Sequence, residues 1–313
     1  MKPVSNIFSV MLFSIAVSGN AAIGIDDCAV APGVVLQVLG SGGPIADDNR
    51  ASAAYLVWVN GHSRFLIDTG GGAFLRFGEA GASFEDLSHI AISHFHTDHS
   101  SDLVALLKSG FFSDRTKSLS ISGPVGGGDY PGLDVFLQRQ LGTGNGAYEY
   151  LAGYLDGSGG LVMLDIVMAD PETNKTITVF TDDGEEFEVL AIGVPHGPVP
   201  TLAYRINIGQ QSIVFSGDQN GSSETFIEFA QDADVLVMHM PVPESISGVG
   251  RRLHAPPSVI GEIAANTGAG KLVLSHFMAR SLKNIEGNLE IIRSNYAGTV
   301  IPADDLTCIM VNG

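Results

Sequence analysis

The 313-residue chain is predicted to fold as an α+β body in four layers, with β-sheets sandwiched between helices. Three observations carry that expectation. The first part of the chain is rich in apolar strand runs broken by turn signals, "GVVLQVLGSGG" (33–43), "SAAYLVWV" and "RFLIDTGGG". The later part alternates strands with helical segments: "QSIVFSGD", 222–231, "DVLVMHM", 257–267, "KLVLSHF". Finally, 45% hydrophobic residues against 16% charged ones supply ample material for a buried core.

The first 22 residues read apart from the rest. Met1-Lys2 is a short positive start, "IFSVMLFSIAV" (7–17) an apolar run and "SGNAA" (18–22) a small-residue cleavage region. Residues 1–22 are therefore expected to be a secretory signal, leaving one domain over 23–313 and a periplasmic or secreted product. The apolar run falls short of the roughly 20 residues that cross a bilayer, so no stable membrane anchor is expected. Export would put Cys28 and Cys308 in an oxidising compartment, where the alternatives are a disulfide joining the two ends or two buried thiols.

Within the domain, Asn60-Gly61 marks a hairpin between the second and third strands. "SHIAIS" (88–93) is a short strand that runs directly into "HFHTDH" (94–99), placing those side chains on a loop at a strand's C-terminal end. A helix is expected from Ser100 to Leu107. The stretch 118–195 is glycine-rich, with short helices and a hairpin turning at Asp183-Gly184. Neither a repeat nor a linker interrupts the chain, which argues for one domain.

Charge narrows the function. Net charge is −18, with 16 basic residues against 34 acids, and 118–195 holds twelve acids but only Arg139 and Lys175 as bases. Such a surface disfavours a long polyanion, while small singly charged anions fit a local basic pocket.

The chemistry starts from His94, His96, Asp98 and His99. Neutral imidazole is the commonest zinc ligand; residues 94 and 96 can point to one side of an extended loop while 98 and 99 turn toward a second position. That pattern suggests two metals, and two metals need further ligands at other strand ends. His196 follows the apolar run 189–194, Asp218 follows "SIVF" and His276 follows "KLVL".

"HFHTDH" resembles the HxHxDH signature of the metallo-β-lactamase superfamily, and the likeness runs from "LGSGGP" through "LIDTGGG" to "LSHF". Within the superfamily the chain looks like the ribonuclease Z and arylsulfatase-like branch. The resemblance implies an αββα metallo-β-lactamase sandwich. It implies His94, His96 and His196 on one metal, Asp98, His99 and His276 on the other, and Asp218 between them. Two zinc ions per chain are expected, with manganese or iron as alternatives, and a hydroxide held between the metals as nucleophile. Asp98 then counts with the catalytic residues as well as the ligands. Asp68 in "LIDTGG" resembles a carboxylate that supports the ligand loops. His254 in "RRLHAPP" matches a histidine that gives a proton to the leaving oxygen. Met240 stands where the branch has that histidine's partner Glu, with the neighbouring His239 as the candidate substitute. Arg280 in "FMARS" falls at an arginine of the ribonuclease Z pattern and suits anion binding, with Arg205, Arg251 and Arg252 as further candidates.

The expected function is an exported, arylsulfatase-like hydrolase of small sulfate or phosphate esters, taking a small anionic ester and no nucleic acid. "SGGP", "RASAAYLVWVNG" and "IDTGGG" look more like the exported arylsulfatases than ribonuclease Z. The alternatives are a ribonuclease Z-like endonuclease for tRNA 3′ ends and a cyclic-nucleotide or other phosphodiesterase. A lactonase or β-lactamase-type hydrolase, and a metal-binding module without turnover, complete the set.

Overall fold

A computed structural model describes residues 28–311. The expected signal at 1–22 lies outside the described residues. Among those described, fourteen strands form two seven-stranded sheets. The first contains β1 (Val34–Gly40), β2 (Ala54–Val59), β3 (His62–Ile67), β4 (His89–Ala91), β5 (Leu119–Pro124) and β6 (Leu164–Ala169). The second contains β7 (Ile177–Asp182), β8 (Phe187–Gly193), β9 (Leu202–Ile208), β10 (Gln211–Phe215), β11 (Val235–His239), β12 (Lys271–Ser275) and β13 (Thr299–Pro302). The last strand, β14 (Thr307–Met310), returns to the first sheet beside β1.

Side chains alternate between the two faces of each strand, and here both faces are covered. Leu36, Val38, Tyr55, Val57 and Phe65 of the first sheet pack against Val189, Tyr204, Ile206, Phe215 and Val237 of the second. The opposite face of the first sheet, with Val35, Leu56, Trp58 and Ile90, lies under α1 (Ala73–Glu79), α2 (Thr97–Ser100), α3 (Leu103–Gly110), α4 (Leu133–Leu141) and α5 (Gly153–Asp156), of which α1, α3, α4 and α5 supply core side chains. The second sheet's outer face, with Val214, Leu236, Met238, Leu272 and Leu274, packs on α6 (Glu224–Phe229), α8 (Pro257–Thr267) and α10 (Ile285–Asn295). Short α7 (Gly248–Leu253) and α9 (Ala279–Leu282) complete the set. This is the expected αββα sandwich.

Local details depart from expectation for visible reasons. Instead of one helix from Ser100 to Leu107, the chain makes α2 and then α3. Between them the Asp102 N–H donates to the Thr69 carbonyl at 2.9 Å, and its carboxylate accepts from the N–H groups of Gly72 and Phe74, pinning the ligand turn to the 68–74 loop. Gly70 is required in that loop, because a Cβ there would collide with the Asp98 carbonyl. The β7–β8 connection spans 183–186 rather than turning on two residues: the register closes at Asp182 and Phe187, and Glu186 takes the left-handed backbone at φ +56°. By contrast Asn60-Gly61 turns β2 into β3 with both residues at positive φ. The expected helix over 222–231 contracts to α6, started by Ser223 accepting from the Phe226 N–H.

β14 brings Cys308 opposite Gln37 on β1, and Cys28 and Cys308 are disulfide-bonded with Cα atoms 5.8 Å apart.

Candidate metal centre

Every residue of the centre follows a strand or ends one. After β4 the chain passes through Ser93, His94 and His96 into α2, which carries Asp98 and His99. His196 follows β8, Asp218 follows β10, His239 ends β11 and His276 follows β12. His276 and Asp68 both sit at φ +56°, a left-handed backbone uncommon for non-glycine residues and a mark of local constraint. Gly43 packs against His276, where a Cβ would come within 3.0 Å of the ring.

The donor atoms fall into groups. His94, His96 and His196 form one, with His94 Nε2 3.0 Å from His96 Nδ1. His99, Asp218 and His276 belong to another, with His99 Nε2 3.1 Å from His276 Nε2 and Asp98 Oδ2 at 3.1 Å from the same His276 nitrogen. Asp218 touches both: its Oδ2 lies 3.6 Å from His196 Nε2 and 3.7 Å from His99 Nε2, and its Oδ1 3.4 Å from His276 Nε2. His94, His99, His196, Asp218 and His276 are all 2% exposed or less.

Hydrogen bonds at the far ring nitrogens set the tautomers. His99 Nδ1 donates to Asp68 Oδ2 at 2.8 Å, and His196 Nδ1 donates to the Leu253 carbonyl at 3.0 Å. Each leaves Nε2 as a lone-pair donor, and His196 Nε2 is buried with no hydrogen-bond partner. Asp68 is itself held by the Ser93 N–H at 2.7 Å and the Ser93 hydroxyl at 2.8 Å. Imidazole nitrogens facing one another at about hydrogen-bond distance, an orphaned one beside them and buried carboxylates make a donor set that a divalent cation satisfies.

Electrostatics agree. Burial, reinforced by His99, holds the His94 ring neutral, with its pKa well below the usual histidine value. Burial disfavours charge on Asp218, but His276, His254 and His99 outweigh it and keep the carboxyl well below its ordinary range. Burial also opposes a charged His99, yet Asp68, Asp98 and Asp218 reverse the balance and raise its pKa. Three buried carboxylates thus draw positive charge into the cluster.

The remaining candidates separate. His239 falls within the second donor group, but both its nitrogens are engaged, Nδ1 with Asp218 Oδ1 at 2.7 Å and Nε2 with the Tyr55 hydroxyl at 2.8 Å. It orients Asp218 and does not partner His254, as the sequence had suggested it could. His254 stands at the C-terminal end of α7 with Nδ1 buried, unpartnered and 3.9 Å from Asp218 Oδ2. Met240 is buried in the helix-side core, so no carboxylate reaches His254 from that position. Burial first of all pushes His254 down to about 3. Arg280 is exposed on α9, its Nε donating to the Pro241 carbonyl at 2.9 Å. Arg251 reaches the Asn220 carbonyl near Asp218. Arg205 is not a site residue: the carbonyls of Phe229 and Gln231 take up its guanidinium at the end of α6. Tyr55 and Ser93 went unnoticed in the sequence, where a tyrosine in an apolar strand and a serine before a histidine carry no signal of their own.

Two sheets between helices, with His and Asp side chains gathered at strand ends, define a metal-dependent hydrolase scaffold. Residues 47–239, well over half of the chain, match the model of the Metallo-beta-lactamase superfamily, and the chain belongs to that family. A ribonuclease Z from Mycobacterium sp. (strain KMS) is 27% identical over 258 residues, covering 78% of this chain and 84% of that protein. The short form of human tRNase Z superposes with a TM-score of 0.69 at 20% identity, covering 89% of this chain and 100% of the other. The metallo-beta-lactamase fold protein YhfI of Bacillus subtilis gives 0.67 at 21% identity, over 88% of this chain and 99% of that one.

These relatives correct one expectation. A small anionic ester as substrate with no role for nucleic acid was inferred from expected export, net charge and the acidic stretch 118–195, whereas the relatives are ribonuclease Z and tRNase Z. Whole-molecule charge was the wrong quantity, because it sums acids spread over the surface and does not decide the local field at a buried His and Asp cluster.

Proposed function

We propose that this chain is a two-zinc phosphodiester hydrolase acting on RNA in the manner of ribonuclease Z. The observation that carries the reading is Asp218 lying between two donor groups, with His254 beside it. In this reading His94, His96 and His196 hold one ion, Asp98, His99 and His276 the other, and Asp218 is shared. Bound ions of this kind supply an activated water and neutralise charge on the phosphoryl oxygens.

The chain's own residues do the rest. Asp68 and Ser93 keep His99 in one tautomer; the Leu253 carbonyl does the same for His196. Tyr55 and His239 fix the face of Asp218. His254 is the imidazole beside Asp218 that would pass a proton to the departing oxygen, a role that requires the bound substrate's negative charge to raise its pKa from about 3, and Arg280 on α9 is a guanidinium suited to a phosphate oxygen. The ribonuclease Z relatives support a phosphodiester over the sulfate ester that the arylsulfatase-like reading favoured.

The test is to offer the purified, zinc-loaded chain an RNA with a 3′ extension, with Asp218→Ala as control. Endonucleolytic cleavage lost in the variant supports the reading. Turnover of p-nitrophenyl sulfate with no cleavage of any phosphodiester would sink it.

A further inference from the structure

Beside the metal centre, a cavity of about 540 Å³ opens along the loop 125–132. Tyr130, Val135, Arg139 and Met168 line it together with the backbone of Gly126–Gly128. One of its lining side chains reaches the centre: the Tyr130 ring lies 6.0 Å from the His96 ring, edge-on at 66°. Gly127 and Gly128 also wall a second cavity of about 510 Å³ that reaches His196. The loop is held in shape: Gly127 and Tyr130 exchange two backbone hydrogen bonds, at 3.1 and 3.0 Å, and a Cβ on Gly126 would come 2.7 Å from the Gly132 nitrogen. Tyr130 is therefore presented from a fixed turn.

Arg139 is the second element. Its guanidinium has no hydrogen-bond or ion-pair partner among the described residues, whereas those of Arg76 and Arg115 are tied to carboxylates or carbonyls. It is one of two bases in 118–195. Val135 and Met168, 39% and 40% exposed, add apolar surface at the same cavity. An aromatic ring, apolar neighbours and a free guanidinium are the complement of a nucleotide, which offers a flat base and a singly charged phosphate.

We propose that this cavity binds the nucleotide next to the scissile phosphodiester, with its base stacked on Tyr130 and its phosphate on Arg139. This rests on the ribonuclease reading and adds to it the place where the RNA is held. Asp129 and Asp134 lie on the same rim, also without partners among the described residues. They repel phosphate but accept from exocyclic amines, so cytosine is preferred over uracil.

The experiment measures fluorescence anisotropy of labelled oligo(C) and oligo(U) RNA on the zinc-loaded chain and on Tyr130→Ala, Tyr130→Phe and Arg139→Gln. Zinc content and melting temperature certify each variant as folded. Tyr130→Ala and Arg139→Gln are expected to weaken oligo(C) binding about tenfold, and Tyr130→Phe to restore it. Arg139→Gln should also lower the salt dependence by about one phosphate contact. Equal affinity across all four proteins overturns the subsite, and no RNA binding by the wild type overturns both subsite and ribonuclease reading. Binding that depends on Tyr130 and Arg139 without cleavage of any RNA keeps the nucleotide contact but overturns its place beside a scissile bond, together with the ribonuclease reading.

Discussion

His239 Nδ1 lies 2.7 Å from Asp218 Oδ1, and the Tyr55 hydroxyl closes on His239 Nε2 at 2.8 Å. Tyr55 stands on β2 and His239 on β11, so the carboxylate shared by the two donor groups is oriented by a contact spanning both sheets. Burial pushes His239 down to about 4, which leaves one N–H for Asp218 and one acceptor nitrogen for Tyr55. Supporting residues of this kind tune metal affinity by about 10- to 100-fold. His239→Ala is expected to lose zinc affinity in that range, and Tyr55→Phe to lose less because the bond to Asp218 survives. Competition with a chromophoric chelator measures both. Wild-type affinity in His239→Ala would show that Asp218 needs no such support.

Among the described residues no carboxylate hydrogen-bonds His254, whose Nδ1 lies 3.9 Å from Asp218 Oδ2. A positioned general acid contributes about 10²- to 10⁴-fold. His254→Ala should lower kcat within that range while zinc content stays at the wild-type level. The loss should shrink when the leaving group is p-nitrophenolate, which departs without a proton, compared with a ribose hydroxyl. An equal loss on both leaving groups would argue that His254 acts on Asp218 and not on the substrate.

Much of this cluster was legible in the sequence because its candidate ligands obey a local rule: His94, His96, His196, Asp218 and His276 each come within a few residues of the end of an apolar strand run. The sandwich was legible for the same reason, since strands buried on both faces read as continuous apolar segments. What stayed hidden depends on contacts between distant segments. Tyr55 and His239 are 184 positions apart, and nothing in either neighbourhood announces their bond. The strands β13 and β14, four residues each, are too short to show a period. Net charge misled because it sums over the whole surface and says nothing of how charge is arranged around the site.

His89 offers a pH test away from the metal ligands. Its ring is 1% exposed between the hydroxyls of Ser120 and Ser122, each at 2.8 Å, with Phe180 5.3 Å away, and burial pushes its pKa down to about 3 from 6.5. The unfolded chain binds the proton that the folded chain refuses. Stability is therefore complete above pH 6.5 and falls as pH drops from there toward 3, by about 1.4 kcal/mol per pH unit. Urea unfolding of wild type and His89→Gln at pH 7 and pH 5 should show the wild type losing about 2 kcal/mol more than the variant over that interval. Parallel pH dependence would mean that the ring is protonated in the folded protein.

The Cys28–Cys308 bridge closes a loop with a sequence separation of 280, joining the first described residue to the strand that completes the first sheet. Its stabilisation comes mainly from restricting the unfolded chain, on the order of 2–5 kcal/mol. The metal centre is carried by other strands, with His94 after β4 and His276 after β12. Reduction, or Cys308→Ser, should accordingly lower the melting temperature by several degrees while zinc content remains that of the wild type. Calorimetry with and without reductant, paired with metal analysis, checks both halves. Zinc released on reduction, at a temperature where the chain is still folded, would show that the bridge supports the centre as well as the edge of the sheet.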